Sequence, residues 1–336
     1  MKKKPKVLVV GGGPSGSAAA ITVASAGGDV TLIEGKNFPR HRPGETLHPG
    51  VEPLFRQLGV AGAVEAAGFL RHVGNRVQWG DEPEFQSFGS DEQGRWTGYQ
   101  ADRGKLDSIL LTRARGCGVR VLQPCRAGVP LTDGDRVTGV ETDRGEIRTD
   151  WILDATGLGH WLVRHLGVPW DRRSPRLMVR YGYVSMFGQD GDRYQNPCMR
   201  KDDGGWTWIA KVSADRLAWA RMRRAGTCDR DGWVPSALGS YLPVGCGGAA
   251  DVTWRISQKL AGSGWFLLGD SGAVLDPASS HGVLKAVMSG IMAGDLITST
   301  GQGKIQTGDA SGIFTDWSRE WFDRDVGELQ KLYGAW

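Results

Sequence analysis

The most constraining feature of this chain lies near its start. Lys6–Val10 reads KVLVV, Gly11, Gly13 and Gly16 follow as G-x-G-x-x-G, and residues 15–26 are rich in alanine. A short β-branched run suits a strand of a parallel sheet buried on both faces, and the alanine-rich stretch suits a helix packed against it. The first glycine permits a tight turn, the second lets the backbone approach a pyrophosphate, and the third lets helix and sheet pack closely. The helix N-terminus, with Ser15 in its first turn, then offers free N–H groups and a partial positive charge to phosphates. Residues 29–34 (DVTLIE) supply a second strand and close a βαβ unit. Glu34 ends that strand, where its carboxylate can accept from ribose hydroxyls and would repel a 2′-phosphate. A glycine motif alone could be an ordinary turn. With the strand, the helix and Glu34 in register, it reads as a dinucleotide site.

Further along, residues 35–50 form a loop rich in Pro, Gly, Arg and His, and 51–58 reads as a helix stopped by Gly59. A helix over 103–115 leads to a strand at 119–122. Short β-like runs from 126 to 148, broken by Asp133-Gly134 and Arg144-Gly145, predict a small β-meander. Residues 80–98 are polar and Gly-rich. Longer aromatic-bearing strands are expected at 177–186, 206–211 and 217–222, within a separate sheet over 168–260. Buried strands are expected at 151–153 and 265–268. Helices are expected at 282–298 and 313–333, with a linker over 300–312. The pattern is α/β. A Rossmann-like domain comprises 1–167 and 261–300, a mainly antiparallel substrate domain is inserted at 168–260, and a C-terminal helix lies within 301–336.

Composition narrows the function classes. Lys plus Arg is 41 against Asp plus Glu 37, a formal charge of +4 spread along the chain. That suits anionic ligands and gives no footprint for nucleic acid. Cys117, Cys125, Cys198, Cys228 and Cys246 include no Cys-x-x-Cys pair, so neither zinc nor thiol-redox chemistry is expected and no metal is assigned. Lys2, Lys3 and Lys4 before an apolar run, with Val23-Ala24-Ser25-Ala26 behind, outline a signal peptide. Gly11-Gly12-Gly13-Pro14 breaks that run, so a cytoplasmic protein is expected, and no apolar run is long enough for a membrane span. The 51 glycines point to tight turns and close backbone approaches, and the 14 tryptophans either fill a core or wall a pocket.

Three more segments follow the dinucleotide unit. Asp102-Arg103-x-x-Leu106-Asp107 opens a helix, Asp154-Ala155-Thr156-Gly157 follows a buried strand, and Gly269-Asp270 follows another, with Pro277 beyond. An Asp at the C-terminal end of a strand sits where such folds bind ligands. It could equally cap a turn, as could Asp154. An arginine at a helix start opposes the helix dipole, so a phosphate partner would explain Arg103, as would a solvated surface site. With these motifs in this order, the chain resembles the FAD-dependent oxidoreductases of the p-hydroxybenzoate hydroxylase-like group. The resemblance implies FAD as cofactor and that group's fold. It implies that Arg103 reaches the FAD phosphates or ribitol, that Asp154 and Gly157 belong to a second FAD-side motif, and that Asp270 holds a ribitol hydroxyl next to Gly269.

A finer likeness lies in two loops. Arg42-Pro43-Gly44-Glu45-Thr46 looks like the R-x-G-E segment of flavin-dependent halogenases, and Trp206-Thr207-Trp208-Ile209 resembles the W-x-W-x-I motif of tryptophan halogenases. Asp276-Pro277-Ala278-Ser279-Ser280-His281-Gly282-Val283 is similar to flavoproteins that mature the protein-derived quinone cofactors of glycine oxidase, lysine oxidase and quinohemoprotein amine dehydrogenase. These likenesses add Arg42, Glu45, Thr46, Pro277, Gly282 and Val283 to the expected cofactor-binding set, with Glu45 either binding flavin or fixing its loop. The implied activity is a monooxygenase that hydroxylates an electron-rich ring through a flavin C4a-hydroperoxide. Its substrate would be an aromatic compound, with a Trp side chain in a peptide or protein foremost, and its product a post-translational modification. The alternative is a tryptophan or aromatic halogenase. Such enzymes hold their hypohalous species with a lysine ahead of the substrate strand, and no lysine lies between Arg56 and Lys105; Arg71, His72, Asn75 and Arg76 stand there instead. An arginine, never neutral, does not replace that amine. A second alternative resembles geranylgeranyl reductases, and a third is a maturation factor using FAD structurally. O2 would be the co-substrate, with electrons from NAD(P)H or from a partner flavin reductase. The helix opening at Gly282 would point at the flavin N1/C2=O edge. His281 would either handle protons or cap that helix, and His48 is a further candidate. A chain stopping at Gly334-Ala335-Trp336 would leave the site uncapped, which suits a large substrate.

Overall fold

The computed structural model of the protein describes residues 4–186, 194–202, 204–226 and 232–334. Lys2, Lys3, Cys228 and the last two residues lie outside them. A six-stranded sheet runs in the order Arg120–Leu122, Asp29–Ile33, Lys6–Val10, Trp151–Asp154, Trp265–Leu267, Ala261–Gly262. The first five strands are parallel, and the last edge strand is antiparallel. Period-2 alternation divides the central strand between two cores. Val7 and Val9 pack towards the helices, whereas Leu8 and Val10 pack with Val137, Val140 and Trp161 beneath the meander. On the first face, helices Pro14–Ser25 and Gly282–Gly301 approach closely because Gly290 and Gly294 carry no Cβ. A methyl at Gly290 would lie 2.2 Å from the Ser15 carbonyl.

The meander consists of Ala127–Asp133, Arg136–Thr142 and Gly145–Arg148. A seven-stranded sheet stands beyond the Rossmann-like unit, in the order Leu242–Asp251, Leu177–Ser185, Arg216–Arg224, Gly205–Ser213, Cys198–Asp202, Gly74–Gln78, Glu84–Ser87. It is antiparallel except where Cys198–Asp202 pairs in parallel with Gly74–Gln78. The sheet therefore takes two strands from residues 74–87, outside the 168–260 stretch expected to build it. Gly74–Gln78 buries only Gly74 and Val77, too little alternation to announce a strand.

Helix Gly282–Gly301 is longer than expected, and helix Thr307–Tyr333 begins earlier, which shortens the linker. Cys117, Cys125 and Cys246 are free, and among the described residues no group of His, Cys, Asp or Glu is arranged to hold a metal. Among the same residues no helix is long and apolar enough to cross a membrane.

Candidate active site between the glycine turn and the antiparallel sheet

A cavity of about 730 Å³ lies between the C-terminal ends of the parallel strands and the antiparallel sheet. Its floor is the glycine turn. Gly11 has φ +108°, and a Cβ there would lie 2.4 Å from the Ala155 carbonyl oxygen; one at Gly16 would lie 2.0 Å from the Gly11 carbonyl oxygen. Gly11 and Gly16 thus make the turn and its packing, and only Gly13 of the three lines the cavity, with Ser15. Gly13 caps helix Pro14–Ser25 without a side chain, so the first-turn N–H groups stay open to an anion.

Glu34, expected to meet ribose hydroxyls, holds the glycine turn. Its carboxylate accepts from Gly12 N at 2.9 Å and Lys36 N at 2.9 Å, and it is absent from the cavity wall. Arg40, which sequence reasoning missed, lies between that carboxylate (3.7 Å) and Asp107 (3.2 Å). Arg103 lines the cavity but is no solvated surface cation, being 9% exposed. Its Nε donates to Asp107 Oδ1 at 3.1 Å and its Nη1 to the Pro43 carbonyl at 2.7 Å. Burial opposes its charge, and Asp107 beside it more than restores it. Arg42 is exposed on the wall and makes no hydrogen bond or ion pair among the described residues.

The segment from Arg42 to Thr46 is stitched to the antiparallel sheet. Glu45 is buried, accepts from the Tyr183 hydroxyl and, at 2.8 Å, from Gly44 N. Burial raises its pKa, against those hydrogen bonds. Thr46 Oγ1 accepts from Trp208 Nε1 at 3.3 Å. Glu45 therefore fixes its loop. Trp206 and Trp208, two apart on Gly205–Ser213, both reach the wall, as do Trp219 and Tyr181.

Asp154 takes the capping role that its position also allowed. It is fully buried, off the wall, and spends its carboxylate on Thr156 N (2.9 Å), Thr156 Oγ1 (2.7 Å) and Leu162 N (2.8 Å). It caps the turn that presents Gly157, at φ +59°, to the cavity. Asp270 behaves oppositely. It opens onto the cavity beside Gly269 and makes no hydrogen bond or ion pair among the described residues. Its enclosed position raises its pKa, with Arg103, Lys285 and Arg255 opposing. Pro277, Gly282 and Val283 complete this wall. Helix Gly282–Gly301 starts without a side-chain cap, and nothing lies within 4 Å of where a Gly282 Cβ would be.

The two histidines expected to be catalytic are absent from the wall. His281 is the N-cap residue of its helix, its carbonyl accepting from Lys285 N at 2.9 Å, but its side chain makes no capping bond; its Nδ1 lies 3.4 Å from Asp325 Oδ2 on the C-terminal helix. His48 sits edge-on to it at 5.4 Å, accepts from Gly50 N at 3.1 Å, and is held below the usual histidine pKa by burial. His72, in the lysine-free segment before Lys105, is buried, bonded to the Gly74 carbonyl at 3.1 Å, and off the wall. The lysine that does line the cavity is Lys285, one turn into helix Gly282–Gly301, with Nζ 2.5 Å from Asp325 Oδ2. Its signal was present in the sequence as the first charge in an otherwise apolar helix start, GVLKAVMSG.

The donor set fits FAD. An open helix start at Gly13 and the cations Arg42 and Arg103 suit phosphates, the unpaired Asp270 suits a polyol, and the uncapped N-terminus at Gly282 suits an electron-rich ring edge. A family model described as FAD-dependent oxidoreductase matches residues 6–172. The chain is 29% identical, over 92% of its length, to a tryptophan 2-halogenase of Chondromyces crocatus. It is 30% identical, over 87% of its length, to a menaquinone reductase of Mycobacterium tuberculosis, of which it covers 76%. It spans 64% of the length of the Chondromyces protein. Among solved structures, the flavin-dependent halogenase CmlS superposes with a TM-score of 0.88 at 24% identity, covering 99% of this chain and 65% of that one. The myxobacterial chondrochloren halogenase CndH superposes at 0.89 and 23%, covering 98% and 83%. At those identities the likeness is one of fold.

Proposed function

This chain belongs to the FAD-dependent oxidoreductases, and from that premise we propose that it is a halogenase-type flavoenzyme that installs a halogen on an electron-rich aromatic ring. The observation that carries the reading is the continuity of the cavity. It runs from the glycine turn and the open helix end at Gly282 to a wall of Trp206, Trp208, Trp219 and Tyr181. Gly13, Ser15, Arg42, Arg103 and Asp270 would hold FAD, with Gly282 and Val283 at its ring. Bound and reduced, that cofactor supplies the activation of O2 that turns a halide into an electrophile. The aromatic wall would orient a planar ring by stacking, and Val179, Ala218 and Ala220 would keep water from the oxidant. Electrons would come from NAD(P)H or from reduced flavin delivered by a partner reductase.

A second reading is hydroxylation of an aromatic ring, a Trp side chain in a peptide or protein included. It draws on one observation: no lysine stands between Arg56 and Lys105, and His72 in that segment is buried off the wall. The experiment is mass spectrometry of free tryptophan and of a Trp-containing peptide. Each is incubated with FAD-loaded protein, NADH, a flavin reductase, O2 and bromide. A bromine isotope doublet supports the first reading, and a gain of one oxygen replaces it by the second. Flavin turnover with neither product would refute both and leave a reductase.

A further inference from the structure

The titratable side chains on the cavity wall are mostly committed. Glu45 is held by Tyr183 and Gly44 N, Asp276 by Tyr333 and Ala278 N, and Asp251 by Arg255 and Thr253 N. The arginines do not deprotonate, and Asp270 is assigned above to the cofactor. Lys285 remains. Its side chain is 20% exposed, its Nζ is 2.5 Å from Asp325 Oδ2, and Asp325 is 3% exposed. His281, its side chain 30% exposed, reaches the same Asp325 oxygen at 3.4 Å and packs against His48. Lys285 on the cavity wall and His281 are thus joined through one buried carboxylate, which ties two helices together.

We propose that Lys285 takes the proton released by the reacting ring, and that Asp325 and His281 are positioning residues that pass it to solvent; the proposal rests on the ring chemistry proposed above. Substitution at an aromatic carbon ends with loss of that carbon's proton. The C–H electron pair returns to the ring, the proton bonds to the neutral amine, and no electrons leave. The ammonium N–H then breaks towards Asp325, and His281 carries the proton outward. Three charged groups face the amine, Asp325 and Arg324 from the C-terminal helix and Asp270 from the turn after Trp265–Leu267, and the titratable His281 at the start of its own helix meets it through Asp325. Burial favours the neutral amine, and Asp325 opposes that.

The test uses the full FAD-loaded chain. Acylation of amines by acetic anhydride across a pH series, read by peptide mass spectrometry, compares Lys285 with exposed Lys304. Product formation is followed in parallel for the wild type, K285M, K285R and H281N. We expect Lys285 to label with a pH midpoint displaced from that of Lys304. We expect K285M and K285R each to lose about 100-fold in product rate with flavin content and flavin reduction unchanged, and H281N to shift the pH profile. Should K285M fail to fold, K285R and the labelling decide. The proposal is overturned if K285R stays within a few-fold of the wild type, or if Lys285 labels like Lys304. A wild type that labels as expected yet modifies no aromatic substrate brings down the functional reading, and the role of Lys285 with it.

Discussion

Tyr333 ends the C-terminal helix in a polar contact that links three parts of the site. Its hydroxyl donates to Asp276 Oδ2 and accepts from Trp206 Nε1 at 2.7 Å, while Trp79 and Trp254 pack around its ring at 5.3 and 5.7 Å. Asp276 is fully buried, and burial pushes its pKa up to about 6 in spite of these hydrogen bonds. Y333F keeps the ring and removes the hydroxyl. A hydrogen bond to an ionised carboxylate contributes about 1.5–3 kcal/mol, and an orphaned buried donor costs about 1–3 kcal/mol. The two overlap at Trp206, so we expect a loss of about 2–4 kcal/mol when Asp276 is ionised. The pH dependence follows from linkage. A carboxyl whose folded pKa lies above its unfolded value stabilises the fold fully below about 4 and loses that contribution as pH rises through about 6. Tyr333 holds the value down, so Y333F pushes it higher and extends the loss into neutral pH. At pH 5 the carboxyl is neutral and only the Trp206 N–H is left unpaired, for about 1–2 kcal/mol. Thermal unfolding should therefore show a fall in Tm of about 4–8 °C at pH 8 and about half that at pH 5. Equal falls at both pH values, or one below about 1 °C at pH 8, would refute the linkage.

Other substitutions probe the cofactor cradle and the aromatic wall. G16A would place a Cβ 2.0 Å from the Gly11 carbonyl oxygen, so the turn must open; we expect protein without bound flavin, and normal flavin absorbance would contradict the role given to that turn. D270N should weaken FAD binding by about 10-fold, the scale of one hydrogen bond to a charged group. Because Asp270 makes no hydrogen bond or ion pair among the described residues and its pKa is raised, the flavin-free Tm should stay level or rise at pH 8. Fluorescence titration with FAD and a melting curve separate the two effects. W208L should raise KM for an aromatic substrate by about 2–10-fold through loss of ring stacking, with flavin content unchanged; a fall in kcat alone would place Trp208 elsewhere in the cycle.

Much of the cofactor half was legible because its determinants are local. KVLVV followed by G-x-G-x-x-G fixes strand, turn and helix within a few residues, and the observed strand is Lys6–Val10 itself. The meander announced itself by alternation between Asp-Gly and Arg-Gly turns; the helix expected at Arg103 is there too, and the structure adds its cap, Asp102, whose Oδ1 accepts from Lys105 N at 3.0 Å. The hidden features depend on partners far apart in the chain. Gly74–Gln78 forms a hairpin with Glu84–Ser87, but it joins the large sheet only because Cys198–Asp202 lies alongside it, with Val77 opposite Met199. Lys285 and His281 meet Asp325, and Asp276 meets Tyr333, only after the C-terminal helix has folded back across the sheet.

Motif residues of the same type ended in different roles, and hydrogen-bonding capacity separates them. Asp154, Glu34 and Glu45 spend their carboxylates on backbone N–H groups or a tyrosine hydroxyl within the protein. An acceptor so satisfied has little left for a ligand, and its loss would unmake a turn before it weakened binding. Asp270 and Arg42 stand on the cavity wall with that capacity unspent, and so do the N–H groups that open the helix at Gly282. All three are exposed to the cavity, so water can meet them in the free protein, and their convergence on one space suits a ligand that takes the place of that water. By that reasoning FAD should stabilise this protein strongly on binding. Its effect on Tm should be largest in the wild type and much reduced in D270N, whereas a substitution at Asp154 should lower Tm with or without the cofactor.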